Sequence, residues 1–140
     1  VFSENDFIEL CNIISDSQEV RLYQPKVTGN DVRISQADRT NNILEAEGTV
    51  DIVFRFHNEE LIISNLFLKH KGRGTGSLII EWFVSFCKNN NIKKIFIRIV
   101  KKDNIIMDKL CKKFGFRRVD NDKDFNDYIL ELSKGNAFNR

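Results

Sequence analysis

The chain is 140 residues long, near the usual size of one domain, and 41% of it is hydrophobic, with twelve phenylalanines available for a core. Its 22 basic and 20 acidic side chains leave a net charge of +2, too small to argue for nucleic acid as a partner. No apolar run reaches membrane-spanning length, no signal peptide opens the chain, and one proline without repeats marks no linker.

In chain order, the first predicted element is a helix from about Ser3 to Ser15. Ser3 suits an N-cap, Asp6 follows as part of a capping box, and Phe7, Ile8, Leu10, Cys11 and Ile14 form an apolar face. Short strands are predicted at Val20–Tyr23 and Val32–Ile34, around the turn-rich Thr28-Gly29-Asn30-Asp31. Strands at Asn42–Ala46 and Thr49–Phe56 meet at a turn, Glu47-Gly48. In the second of them Val50, Ile52, Phe54 and Phe56 share one side. His57-Asn58-Glu59 then turns the chain into an apolar strand, Leu61–Leu68, which completes an antiparallel meander.

Lys71-Gly72-Arg73-Gly74-Thr75-Gly76-Ser77 follows that strand. After it, Ile79, Ile80, Phe83, Phe86 and Cys87 keep the spacing of a helix face. A strand, closely spaced glycines and a helix start together build an anion site. Small residues let backbone N–H groups approach a phosphate, and the helix adds unpaired donors and its positive end. Lys71 and Arg73 add charge at the rim. A P-loop is excluded, because Gly72–Ser77 has no lysine at the required place. A dinucleotide fingerprint would need glycine where Ser77 stands, although Asp103 could mimic its ribose-binding acid.

Lys93 to Val100 alternates as the next strand, and a second helix runs from about Asn104 to Phe114. Its stripe is Ile106, Met107, Leu110, Cys111 and Phe114. Gly115 is placed for a left-handed C-cap, with Phe116 as the accompanying apolar contact. Tyr128, Ile129, Leu130 and Leu132 give a final strand. Cys11, Cys87 and Cys111 lie on predicted helix faces without metal-ligand spacing, so they read as reduced thiols of a cytoplasmic protein that holds no metal.

Two patterns coincide over residues 60–132. Lys71, Gly74 and Gly76 fill the first, fourth and sixth places of [Q/R]-x-x-G-x-[G/A]. The order strand, loop, helix, strand, helix, strand is kept, with Asn104 opening the second helix and Lys113-Phe114-Gly115-Phe116 closing it. This half resembles the acyl-CoA-binding half of GCN5-related N-acetyltransferases (GNAT). The resemblance implies a single α/β domain over 1–140, with 1–60 on the acceptor side and 61–132 binding acyl-CoA. Its central sheet would be mixed, mostly antiparallel and flanked by helices, splayed between the strand at 61–69 and the strand at 93–100. A strand that family members often carry before the first helix is not visible; it is absent, trimmed or displaced into residues 20–34.

The resemblance also implies a reaction. Acetyl-CoA would be the cosubstrate, and its acetyl group would pass to a primary amine of a small molecule or protein by direct attack in a ternary complex. A non-catalytic acyl-CoA-binding module is the alternative. Leu66, Phe67 and Leu68 would lend backbone groups to pantetheine and one N–H to the thioester oxygen. Lys71, Gly72, Arg73, Gly74, Thr75, Gly76 and Ser77 would hold the pyrophosphate, with Asn104 contributing from the second helix. Lys71 keeps the charge of the usual first residue without the fork of an arginine.

Glu60, eleven residues before Lys71, stands at the offset of the catalytic glutamate in the histone-type branch. Cys111, four residues before Gly115, stands where many members carry a tyrosine that protonates the leaving thiolate. It is either a proton donor in that place or a small core residue. Ser64 and Asn65 either mark a break in strand pairing or bond a neighbouring loop. Glu45, Glu47 and Asp51 make the adjacent hairpin acidic and would attract a cationic amine. His57 and His70 read as turn and rim residues. An exposed final strand would offer the edge for a homodimer.

Overall fold

Ser3 begins the first helical segment as its sequence predicts. In this computed structural model, which describes residues 2–37 and 48–132, the Asp6 carboxylate accepts from the Ser3 N–H at 2.7 Å. A 3-10 turn, Glu4–Phe7, leads into α1, Ile8–Gln18. The helix passes its predicted end and stops where Glu19 turns left-handed at φ 56°. Next come β1, Lys26–Thr28, and β2, Asp31–Ser35, a hairpin whose turn holds Gly29 at φ 61°. The predicted strand at Val20–Tyr23 does not form. Only Leu22 bridges there, to Gln36, and Pro25, which lacks an N–H, separates it from β1. The predicted strand at 42–46 lies outside the described residues, as do Glu45 and Glu47.

Two further strands, β3, Asp51–His57, and β4, Glu60–Phe67, form a hairpin. Its two turn residues, Asn58 and Glu59, have φ of 50° and 66°, a turn whose twist matches the strands it joins. The rest of the chain gives α2, Thr75–Asn89, β5, Lys94–Lys101, α3, Ile105–Lys113, β6, Arg117–Asp120, and β7, Phe125–Glu131. Strand β6 was not predicted, since Arg117-Arg118-Val119-Asp120 carries a single apolar residue. Its position is set by pairing with β7 rather than by its own pattern.

Among the described residues the sheet order is β1-β2-β3-β4-β5-β7-β6, and only β4 and β5 run parallel. A doubly wound dinucleotide fold needs a mostly parallel sheet, so that reading of the glycines falls. The sheet edges are β1 and β6. The final strand is therefore interior, bonded on both sides, and is not the edge expected for a homodimer.

One face of the sheet carries the core. Ile34, Ile52, Phe54, Ile63 and Ile97 stand beside one another across the strands, and all are buried. Phe7, at the end of the 3-10 turn, and Phe83 of α2 pack on Phe54, with ring centroids 5.4 and 4.9 Å away. Trp82 of α2 donates to Glu9 of α1 at 3.0 Å. The third helix docks through a polar contact: the Tyr128 hydroxyl donates to Asp108 at 2.7 Å, and Asp108 also meets Lys112 and Arg118. Gly115, at φ 85°, ends α3 as predicted. The Phe116 N–H reaches back to the Cys111 carbonyl at 2.9 Å, and the Gly115 N–H to Lys112 at 3.1 Å, which together make a Schellman cap.

Candidate functional site

Strands β4 and β5 pair only from Glu60 and Lys94 to Ile63 and Ile97. There both strands deform. Asn65 faces Val53 and Ile63 faces Phe54, which leaves Ser64 as an extra, bulged residue. The Ser64 hydroxyl donates to the Val53 carbonyl at 3.3 Å, and the Asn65 amide to Asp51 at 3.5 Å. Of the two alternatives for these residues, the irregularity in pairing is present, and their side chains bond strand β3 and not a neighbouring loop. On the other side, β5 bulges against β7, and Ile99 takes φ 60°. The Asp127 carboxylate holds that bulge, accepting from the Ile99 N–H at 2.8 Å, Arg98 at 3.1 Å and Asn121 at 3.0 Å. Past these points β4 carries Leu66 and Phe67 forward on β3 alone, so the sheet opens between β4 and β5. Leu68 continues from that free end.

The glycine loop lies at the mouth of this opening. Gly72 and Gly74 have φ of 79° and 76°, and a Cβ at either would meet nothing within 4 Å. Gly74 is the N-cap of α2, and no side chain caps the helix there. The first-turn N–H groups therefore have no side-chain cap from Gly74, the arrangement in which a helix start can receive an anion. Gly76 also serves packing. A Cβ there would come 2.9 Å from Leu110 Cδ2, so this glycine lets α3 lie against α2. Ser77 accepts from Lys113 of α3 at 3.1 Å. Lys71 is exposed at the rim, whereas Arg73 turns to α1, donating to the Ser17 carbonyl at 3.1 Å and to Glu19 at 3.2 Å.

Beneath the loop is a polar group that sequence reasoning missed. Gln18 is fully buried, and its side chain pairs with the main chain of His70. Its Oε1 accepts from the His70 N–H at 2.7 Å and its Nε2 donates to the His70 carbonyl at 2.9 Å. The same Nε2 reaches the Thr75 hydroxyl at 2.8 Å, and Thr75 also bonds the Ser17 hydroxyl. The sequence did hold a signal: Gln18 continues the buried stripe Phe7, Leu10, Ile14 with a polar side chain.

Asn104 is an N-cap of α3, its Oδ1 accepting from the Met107 N–H at 3.0 Å. Glu60, half-buried, begins β4 on the side away from the helices and is four residues, about 13 Å of strand, from Ser64. Glu59 is in the turn and pairs with Lys93 at 3.5 Å. Asp51 does not stand free to attract an amine: Arg33 holds both its oxygens, at 2.9 and 3.1 Å. Cys111 is 1% exposed, and its thiol is pushed up to about 12, first by burial and then by Asp108. That is the setting of a core side chain, since a donor to a leaving thiolate must reach it and release a proton near neutral pH. The His57 ring bonds Asn58 at 3.1 Å, and His70 enters the site through its backbone.

Four exposed apolar side chains mark the same end of the sheet: Phe67 at the end of β4, Ile99 on the β5 bulge, and Ile105 and Ile106 opening α3. Among the described residues no group of three His, Cys, Asp or Glu is placed to hold a metal, and no helix is long and apolar enough to cross a membrane.

A splayed β4–β5 pair above a glycine loop and helix is the fold of the GNAT acetyltransferases. No family model matches the sequence, and no curated protein matches it. Solved structures do. The chain is similar to an acetyltransferase of the GNAT family from Staphylococcus aureus Mu50, with a TM-score of 0.54, 14% identity, and 93% of each chain covered. It is also similar to the Bacillus subtilis acetyltransferase in complex with CoA, with a TM-score of 0.53, 14% identity, and 87% of this chain and 84% of that one covered. With the PaiA N-acetyltransferase of Thermoplasma acidophilum, in complex with coenzyme A, the TM-score is 0.55 at 16% identity. There 73% of this chain matches 61% of the other, less than two thirds of its length.

Proposed function

We propose that the protein is an acetyl-CoA-dependent N-acetyltransferase acting on a primary amine of a small molecule or protein. The observation that carries this reading is the parting of β4 and β5 after Ile63 and Ile97, directly before a glycine loop that caps α2. The open space at Gly72 and Gly74 fits the close backbone approach that a pyrophosphate requires. Acetyl-CoA supplies an acyl group already activated as a thioester.

The chain's residues then have three tasks. The backbone of Leu66, Phe67 and Leu68, unpaired on the β5 side, would bond the amides of pantetheine and give one N–H to the thioester oxygen. Such a donor contributes about 3 kcal/mol in other acyl transfers. Lys71 and the start of α2 would hold the pyrophosphate. Glu60 would take the amine's proton through water, given the length of strand between it and the bulge. Holding both reactants in one cleft lowers the barrier by about 7–11 kcal/mol in well-oriented model systems.

The burial of Cys111 favours a second reading, an acyl-CoA-binding module without transfer. Titration calorimetry with acetyl-CoA, CoA and NAD, followed by thiol release with polyamines, aminoglycosides and peptides, separates the readings. Micromolar acetyl-CoA binding without NAD binding is expected, with thiol release for at least one amine. Binding without release across the amines would favour the module. Failure to bind either CoA species would overturn both.

A further inference from the structure

We infer that Gln18, with Thr75 and Ser17, is a clamp through which the end of α1 sets the glycine loop in its anion-binding shape, so that affinity for the pyrophosphate depends on a side chain that never touches it. The inference rests on the acyl-CoA reading of the loop. Gln18 treats His70 as a neighbouring strand would, bonding both its N–H and its carbonyl. It fixes the backbone two residues before Gly72. Through Thr75 it also fixes the first residue of α2, directly after Gly74. His70 and Thr75, the residues flanking the four-residue span Lys71–Gly74, are therefore both tied to one carboxamide. Between them the loop is built of glycines at φ 79° and 76°, which have no intrinsic preference for that shape over others.

The rest of the surroundings agrees. Gln18 is 0% and Thr75 2% exposed, so the bond between them is made away from water and losing either partner leaves a buried polar group unpaired, while the bonds to His70 and Ser17 are partly buried. Outside this neutral clamp, Arg73 ties the middle of the loop to Ser17 and Glu19. The loop's arginine is thereby occupied with α1. α1 lies in the half of the chain expected to bind the acceptor, so the clamp physically joins the two substrate sides.

The test uses the whole protein, with coenzyme A and with pantetheine, which lacks the pyrophosphate. Gln18→Leu is expected to raise the Kd for coenzyme A about tenfold while that for pantetheine stays within about twofold. Amide hydrogen exchange over 68–76 should quicken in the same variant. Thr75→Val should reproduce the loss, and Thr75→Ser, which restores the hydroxyl, should reverse most of it. An equal rise in Kd for both ligands, or no rise for either, would overturn the clamp. If Gln18→Leu does not fold, the Thr75 pair decides on the same comparison. If the unmodified protein binds no coenzyme A, the acyl-CoA reading has failed by itself. The exchange measurement then decides the clamp alone, and unchanged exchange overturns it.

Discussion

At Gly76 and Cys111 residues that the sequence pattern placed near the chemistry also have a packing role in the structure. Gly76 completes the loop pattern, yet its missing side chain makes room for Leu110. Gly76→Val would have to displace the tip of the Leu110 side chain and is expected to cost about 1 kcal/mol, read from a urea unfolding midpoint. Tolerance of valine would mean that α3 is not held at this point. Cys111→Ala removes a buried sulfur and should cost about 1–2 kcal/mol of stability. Turnover with a responsive amine should stay within about threefold; a loss of a hundredfold would restore the thiol as proton donor. The glycine pattern was legible because turn geometry leaves a mark on residue type. The difference between Gly74 and Gly76 was not, because it depends on a neighbour 34 positions later in the chain. Gln18 was hidden for the same reason, its partners being His70 and Thr75.

Helices and long strands were readable from periodicity, and their ends from Ser3, Asn104 and Gly115, whose caps form as predicted. Strand β6 and the two bulges were not, because pairing with a neighbour creates them. The β5 bulge places Ile99, a β-branched residue, at φ 60°, a conformation that such side chains rarely adopt. Asp127 holds it there from the adjacent strand. Ile99→Asn keeps the bulge and suits the left-handed backbone, while giving up little burial, since Ile99 is 56% exposed. We expect a gain of up to about 1 kcal/mol in unfolding free energy by chemical denaturation. A loss would show that the isoleucine side chain supports the bulge through its contacts.

The fold class was legible over the whole molecule because one sheet, with one parallel pair, follows from the element order. The N-terminal half was less so, since the strand expected at Val20–Tyr23 is a single bridge from Leu22 to Gln36. Stability as a function of pH is a property of this scale. Burial pushes Cys11 up to about 11 and Cys87 up to about 12, and Cys111 likewise to about 12. Burial, with the Asp108 hydrogen bond, pushes Tyr128 up to about 12. Unfolding returns them to about 9 for the thiols and 10 for the phenol, so above pH 9 the folded state retains protons that the unfolded chain gives up. Their contribution is complete below pH 9 and is lost as pH rises toward 12. Melting temperature under reducing conditions should be flat from pH 7 to about 9 and fall beyond it; a flat profile to pH 11 would mean that these groups titrate normally in the fold. The gap between β4 and β5 has one more consequence. A bare strand edge on the outside of a protein invites other proteins to add a strand and aggregate. Here the backbone left without a strand partner beyond Ile63 and Ile97 lies between two strands of one sheet, not at its outer edges, which are β1 and β6.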